Sequence, residues 1–493
     1  MIMKRIYLYI AVLLAGSLFT GCNKYLNVLP ESEYSVSGSY KTENDFQQAI
    51  AGVYAQQQSL YQSNACYYRA MICRGDGAQI GGQYLEGLDQ FIDNENNTVL
   101  DGAWNNYWRI IYLSNMILSK IDAGTFNDPA MQSYIKGEAY MFRAYGYWNL
   151  GWQFGGVPLI DKPTGVAETK TEARSTQEAT FDKAIADYTE AIGLLPEAWT
   201  GSNAGRVTKY AAEGMLARLY LFQSQFSNAK PLLNDIITSG KYKMEDNYLD
   251  CFTDSHDNGP ERVWEVQFTG GLTGEGQFFS TGLLPEGFND LSIMPFSGFS
   301  TAVIVSDELY YSYEQGDKRK AVSILKGWNN RGVEDTVSAF ILKYSHYDAY
   351  TPKTQQDWAN NLPVLRYTDV LMMYAEVLNE ESYVANGQAF TIINDVRKRA
   401  GLGALTAATV ADQGAFREAL RRERRHEFAF EGLRWRDMIR WGIAENVMNS
   451  YFQGEKEGNG RYSMKAYQTL FAIPFEAISR YNDDAVMWQN PGY

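Results

Sequence analysis

Phe46, Ala49, Ile50, Val53 and Tyr54 follow the i, i+3, i+4, i+7, i+8 spacing of one buried helical face. Thr42 can cap that helix, Glu43 and Asp45 suit its positive end, and the pattern fades near Tyr61. Residues 62–102 are rich in Gly and Asn and hold no sustained period, which predicts loop with short elements. Helical spacing then returns in pairs. Ala103–Ile121 goes with Met131–Phe154, and Thr180–Leu194 with Lys209–Phe222, followed by Asn228–Ser239. Leu365–Asn379 and Gly387–Ala400 make a further pair, and Gln413–Trp441 reads as one long helical run.

The texture inside these pairs repeats. Ala211, Leu216, Ala217, Leu219, Tyr220, Phe226, Ala229 and Leu232 resemble a tetratricopeptide unit, in which small residues let two helices approach closely. The pairs are interrupted rather than tandem, so the chain predicts a mostly α, degenerate helical-repeat scaffold over about 41–240 and 363–450. Between 241 and 362 the pattern changes. Gly270, Gly271, Gly274, Gly276, Gly282, Gly287 and Gly298 break any helix, and Val263–Phe268 and Ala339–Tyr344 read as short strands. A loop-rich insertion in a rigid frame is where binding function tends to sit.

The first residues bear on location. Lys4 and Arg5 precede an apolar run from Ile6 to Phe19, shorter than the about 20 residues a bilayer-spanning helix needs. Residues 1–21 are therefore expected to be an export signal. Thr20-Gly21-Cys22 resembles a lipobox that would acylate Cys22, with Phe19 departing from the usual Leu; an ordinary secretory signal with an incidental Cys is the alternative. Residues 22–40 are polar and aperiodic, as a tether would be.

Composition narrows the function classes. The chain of 493 residues carries 58 acidic against 44 basic residues, net −14, and that balance disfavours nucleic-acid binding. Aromatic residues make up 14%, with 35 Tyr, which suits a surface holding an amphipathic ligand as well as a core. Apart from Cys22 the cysteines are Cys66, Cys73 and Cys251, an odd number that excludes full pairing within the chain. A Cys66–Cys73 bridge and buried free thiols both fit.

Catalytic signatures are missing: no G-x-S-x-G, H-E-x-x-H or C-x-x-C, and only three histidines, His256, His346 and His426. Asp93-x-Glu95-x-Asn97 starts like a calcium loop, but Thr98 stands at the glycine position and Trp104 at the closing Glu. Asp254, Asp257, Asn258 and Glu261 read as a solvated acidic turn. No metal site and no cofactor are expected. A glycosidase pair among so many carboxylates is not singled out by any spacing. Arginines from Arg417 to Arg440 interleave with Glu418, Glu423, Glu427, Glu431 and Asp437, which predicts an ion-paired structural helix.

Four blocks then point to one family. The run Arg421-Arg422-Glu423-Arg424-Arg425-His426-Glu427-Phe428-Ala429-Phe430-Glu431-Gly432-Leu433-Arg434-Trp435-Arg436-Asp437 resembles the signature helix of SusD/RagB proteins. Arg143-Ala144-Tyr145 through Gly155-Gly156-Val157-Pro158-Leu159 is similar to that family's helix-to-loop segment. Leu365-Arg366-Tyr367-Thr368-Asp369-Val370-Leu371 with Tyr374-Ala375-Glu376, and the ending from Leu470-Phe471-Ala472-Ile473-Pro474 to Asn490-Pro491-Gly492-Tyr493, supply the others. The resemblance implies a SusD-like α-helical fold, with four tetratricopeptide-like helix pairs and a loop-rich α/β binding subdomain. It also implies an outer-membrane, surface-facing lipoprotein that captures oligosaccharide, or sometimes peptide, without cleaving it, and passes it to a SusC-like TonB-dependent transporter. A surface glycoside hydrolase with a carboxylate pair is the alternative.

The family blocks are scaffold and do not locate the ligand. Sugar rings offer C–H faces to aromatic rings and hydroxyl rims to Asn, Asp and Arg, so aromatics in aperiodic segments beside such groups are the candidates. These are Arg74 and Asp76 with Tyr84; Trp104, Asn105 and Trp108, where the tryptophans equally suit a core; Phe278 and Phe279; Trp328 with Asn329, Asn330 and Arg331; and Trp358 with Asn360 and Asn361.

Overall fold

The computed structural model describes residues 40–62, 67–80, 85–288, 290, 293–298, 303–330, 332–454 and 458–493. Its first half is a run of helices: α1 (Glu43–Gln62), α2 (Tyr67–Cys73), α3 (Thr98–Lys120), α4 (Pro129–Phe154), the short α5 (Val166–Thr169), α6 (Gln177–Leu194), α7 (Lys209–Phe222) and α8 (Phe226–Thr238). Side chains just outside them supply the starts. Thr42 and Asp45 bond reciprocally at the head of α1. Asn97, Asp128, Thr176 and Thr208 each accept a backbone N–H at the first turns of α3, α4, α6 and α7. Pro129 opens α4, where its missing N–H costs nothing.

Small residues set the helix spacing. A β-carbon on Gly146 of α4 would lie 2.6 Å from Ile111 of α3, so glycine permits that approach. Arg143 of α4 then clasps Asp187 of α6 through two contacts of 2.7 Å. Neighbours stack in the order α1, α3, α4, α6, α7, α8.

The insertion follows. Strands β2 (Arg262–Val266) and β6 (Leu362–Arg366) form an antiparallel pair. A four-stranded sheet runs in the order β1 (Ala78–Ile80), β3 (Val303–Val305), β5 (Val333–Ile341), β4 (Ile324–Asn330), with helices α9 (Asp307–Ser312) and α10 (Lys318–Ser323) beside it. A second, small core of Leu284, Phe288, Met294, Trp328, Phe340 and Trp358 fills this region.

The helical stack resumes across the insertion. α11 (Tyr367–Glu381) packs directly on α8, then α12 (Gln388–Arg399) and α13 (Gln413–Glu427) pack on α11. The molecule is mostly α, as its sequence predicts. The long run at Gln413–Trp441 is corrected to two helices, α13 and α14 (Arg434–Arg440), followed by α15 (Ala444–Tyr451) and α16 (Phe475–Tyr481). Phe430 and Gly432 take positive φ of 67° and 68° and turn the chain between them.

That turn closes a buried charge lattice. Arg366 pairs with Glu261, Glu427 and Glu431; Arg399 reaches Glu261 and Glu427 at 2.6 Å each. Arg319 binds Asp317, Glu423 and Glu427, and Lys343 lies 2.7 Å from Glu431. Burial works against charge on Glu427, but Arg399, Arg366 and Arg319 outweigh it and hold its carboxyl down to about 2. The ion-paired structural reading of the Arg417–Arg440 stretch therefore holds. Cys73 and Cys251 are buried free thiols, and Cys66 lies outside the described residues. No helix among the described residues is long and apolar enough to cross a membrane.

Candidate functional site

Two concave surfaces stand out by chemistry. The first is a cleft of about 540 Å³ on the loop-rich insertion, lined by Ser59, Gln62, Leu272, Phe278, Thr354 and Gln356 with Gly274, Gly276 and Asp357. Its walls are the loops 268–279 and 350–358, set against the end of α1. Glycines shape the first loop: Gly271 and Gly274 have φ of 98° and 87°, and Thr269 N–H closes it on Glu275 C=O at 2.9 Å. Leu272 sits between them at φ 60°, a conformation that disfavours a branched side chain, and leaves that side chain 61% exposed at the rim.

Asp357 joins the two walls. Its carboxylate accepts the backbone N–H of Leu272 at 2.7 Å and of Lys353 at 3.0 Å, together with the Tyr350 hydroxyl. Burial opposes its charge, yet these hydrogen bonds prevail and keep its carboxyl below the usual range. Gln277 and Trp358 bridge the walls below, and a β-carbon on Gly276 would meet Gln356 O at 2.5 Å. Gln62 from α1 donates to Gly276 C=O at 3.2 Å. The exposed groups left over are the Thr354 hydroxyl, the Gln356 amide and the Leu272 side chain, a mix of hydrogen-bonding and apolar surface. Because its oxygens are already taken, Asp357 is a staple of the cleft and not a free acid.

The second surface is an apolar groove of about 450 Å³ on the helical side. Trp104, Asn105, Trp108 and Tyr112 of α3 face Ile160 and Lys162 after α4, Lys170 after α5, and Ala477, Arg480 and Tyr481 of α16.

Most sequence candidates prove to be supports. Arg74 is fully buried, pairs with Asp93, donates to Leu88 C=O at 2.7 Å and lies 3.8 Å over the Phe91 ring. Asp76 is buried under Arg434, which grips it twice at 2.8 Å, and Arg425. Burial resists charge there, but the two guanidinium groups hold the carboxyl well below its ordinary value. Phe279 packs between Tyr68 and Tyr344, and Trp358 is buried with its indole N–H on Thr281. Trp328 lies against Phe288 and Phe340 in the small core. These five are corrected to structural residues, since a ring or ion pair enclosed by protein presents no face to a ligand. Asn360 and Asn361 likewise bind backbone, at Phe252 C=O and Phe268 N–H.

Trp104 and Asn105 both line the apolar groove, with Trp104 mostly buried and Asn105 exposed beside Asp101. Phe278 lines the polar cleft. Tyr84, Arg331, the Asn330 side chain and Cys22 lie outside the described residues. The two acidic motifs disperse: Asp93 binds Arg74, Asn97 caps α3, Asp254 accepts the N–H groups of Asp348, Ala349 and Tyr350, and Glu261 belongs to the lattice. Sequence reading missed Ser59, Gln62, Thr354, Gln356 and Asp357. The glycine cluster at 270–276 marked one wall; nothing local marked the other.

Comparison with known proteins gives a consistent picture. A family described as "SusD family" matches residues 261–493, and one described as "Starch-binding associating with outer membrane" matches 24–221. SusD-like protein P25 of Formosa agariphila is 26% identical, over 90% of this chain and 92% of that one. Surface glycan-binding protein A from Bacteroides fluxus has TM-score 0.79 at 25% identity, covering 92% of this chain and 100% of that chain. The Bacteroides thetaiotaomicron protein of that name, in complex with laminarihexaose, has TM-score 0.76 at 21% identity, covering 91% and 100%.

Proposed function

The chain belongs to the SusD family, and from that premise we propose that it is an outer-membrane surface glycan-binding protein that holds its ligand without cutting it. The observation that carries this reading is the cleft of Thr354, Gln356 and Leu272 between two stapled loops. Hydroxyl and amide groups there can meet sugar hydroxyls, while Leu272 and Phe278 offer apolar surface to a ring's C–H face. Hydrogen bonds already join the two loops, which lowers the ordering that binding must supply.

The same geometry supports binding without cleavage. Hydrolysis needs one carboxyl free to give a proton and a second free to attack or activate water. Asp357, the one carboxylate lining this cleft among the described residues, has its oxygens occupied by Leu272, Lys353 and Tyr350. Acylation of Cys22 would tether the body to the membrane, and a SusC-like TonB-dependent transporter would receive the glycan.

The test is titration calorimetry of the purified protein against soluble α- and β-glucans, with product analysis of each mixture. We expect retention without new reducing ends. Thr354→Ala with Gln356→Ala should weaken the bound glycan about tenfold, two hydrogen bonds of ~0.5–1.5 kcal/mol each, at unchanged melting temperature. Undiminished affinity removes the cleft from the proposal, and released oligosaccharide favours the hydrolase.

A further inference from the structure

The apolar groove on the helical side lies near Tyr40. Residue 40 is the first one described, and its surroundings place it. The Tyr40 ring packs edge-on against Phe46 at 5.7 Å, and Lys41 C=O accepts Thr125 N–H at 2.8 Å, pinning the chain beside the end of α3. The Tyr40 phenol also lies within electrostatic reach of Tyr112 and Arg109 on α3. Tyr112 is 41% exposed and lines the groove, with Trp108 and Trp104 on the same helix.

Among the described residues, no Asp or Glu lines the groove. Lys162, Lys170 and Arg480 stand on its rim, and none of them forms an ion pair among the described residues. Glu172 is the acidic group near Tyr481 on that side. Apolar walls beneath a cationic rim suit a segment that is apolar and then acidic. The stretch ahead of residue 40 is polar as a whole but holds one such segment, Tyr25-Leu26-Asn27-Val28-Leu29-Pro30-Glu31-Ser32-Glu33.

We infer that residues 25–33 of this same chain dock in the α3–α16 groove, with Leu26, Val28 and Leu29 against Trp104, Trp108 and Tyr112 and with Glu31 and Glu33 toward Lys162, Lys170 and Arg480. Reach does not limit this arrangement. From Tyr112 to Trp104 the groove spans about 12 Å along α3 at 1.5 Å per residue. The residues between 33 and 40 can extend about 3.3 Å each. Docking leaves only residues 22–24 as free tether, so the body would stand close to its anchor in a fixed orientation instead of swinging on residues 22–39.

Hydrogen exchange read by mass spectrometry on the full mature chain tests this. Amides of residues 25–29 should exchange at least about tenfold more slowly than in Leu26→Asp with Leu29→Asp. In that variant, segments 105–116 and 475–482 should exchange faster than in the parent. Lys162→Glu with Lys170→Glu should lower tail protection, and adding Glu31→Lys with Glu33→Lys should restore it. Free-peptide exchange of residues 25–29 in the parent overturns the inference. So does protection indifferent to the rim charges, which places the tail elsewhere, or protection that grows with concentration alongside a dimer mass, which places it on a second copy.

Discussion

The charge lattice around Arg366 and the cleft around Asp357 lie in one chain and treat polar groups in opposite ways. In the lattice, Arg366, Arg399, Arg319 and Lys343 are buried and share five carboxylates, and Arg366, Arg399, Arg319, Glu261, Glu427 and Glu431 each meet more than one opposite charge. Burying an ion costs several kcal/mol unless its pairing is complete, and complete pairing leaves nothing over for a ligand. The cleft uses a single carboxylate to staple a glycine-bent loop to a second loop and leaves Thr354 and Gln356 exposed. Rigidity in the frame comes from saturated polar groups; recognition in the cleft comes from unsaturated ones held still.

The comparison breaks first at Arg366. Arg366→Met removes the cation that Glu261, Glu427 and Glu431 share, leaves those buried carboxylates to Arg399, Arg319 and Lys343 alone, and should cost about 3–5 kcal/mol in urea unfolding. A loss under about 1 kcal/mol would mean the lattice is ornament. Acid probes the same region without mutation. Glu427 is held near 2 in the fold against an ordinary 4.5, so its contribution is complete above about 4.5 and is lost as pH falls from there toward about 2. The melting temperature should drop across that window, and a flat profile would show that the guanidinium groups do not hold the charge.

Smaller effects are expected in the cleft. Gly276→Val drives a side chain into Gln356 O, which lies 2.5 Å from the β-carbon position, and should cost about 1–3 kcal/mol while weakening glycan binding. Equal stability and affinity would show that the walls are free to part. Asp357→Asn keeps the shape but weakens the acceptor for two N–H groups and a hydroxyl, a loss of about 1 kcal/mol in melting analysis. Its glycan affinity should fall more than its stability suggests, because loop position is what the staple controls.

Much of the frame was legible beforehand. α7 was read to both ends at Lys209–Phe222, since a Thr cap, small residues and apolar spacing all lie within its own sequence. The break after α13 was not, because Phe430 at φ 67° is a local cost accepted so that Lys343 can reach Ala429 C=O and Glu431. The candidate site fared worse. Trp358 and Trp328, flanked by Asn in aperiodic segments, looked like platforms but pack in the small core, while their asparagine neighbours serve backbone groups. An aromatic beside polar residues has the same local signature whether it faces water or a second segment.

By itself the sequence determined the longer paired helices, the cap of α1 and the family blocks, because periodicity and caps act over a few residues. Only the tertiary structure decided which aromatics are covered and that Ser59 and Gln62 of α1 meet Gly276 and Thr354 from the insertion. Burial and cleft geometry depend on segments hundreds of residues apart coming together, and no local spacing encodes which partner arrives.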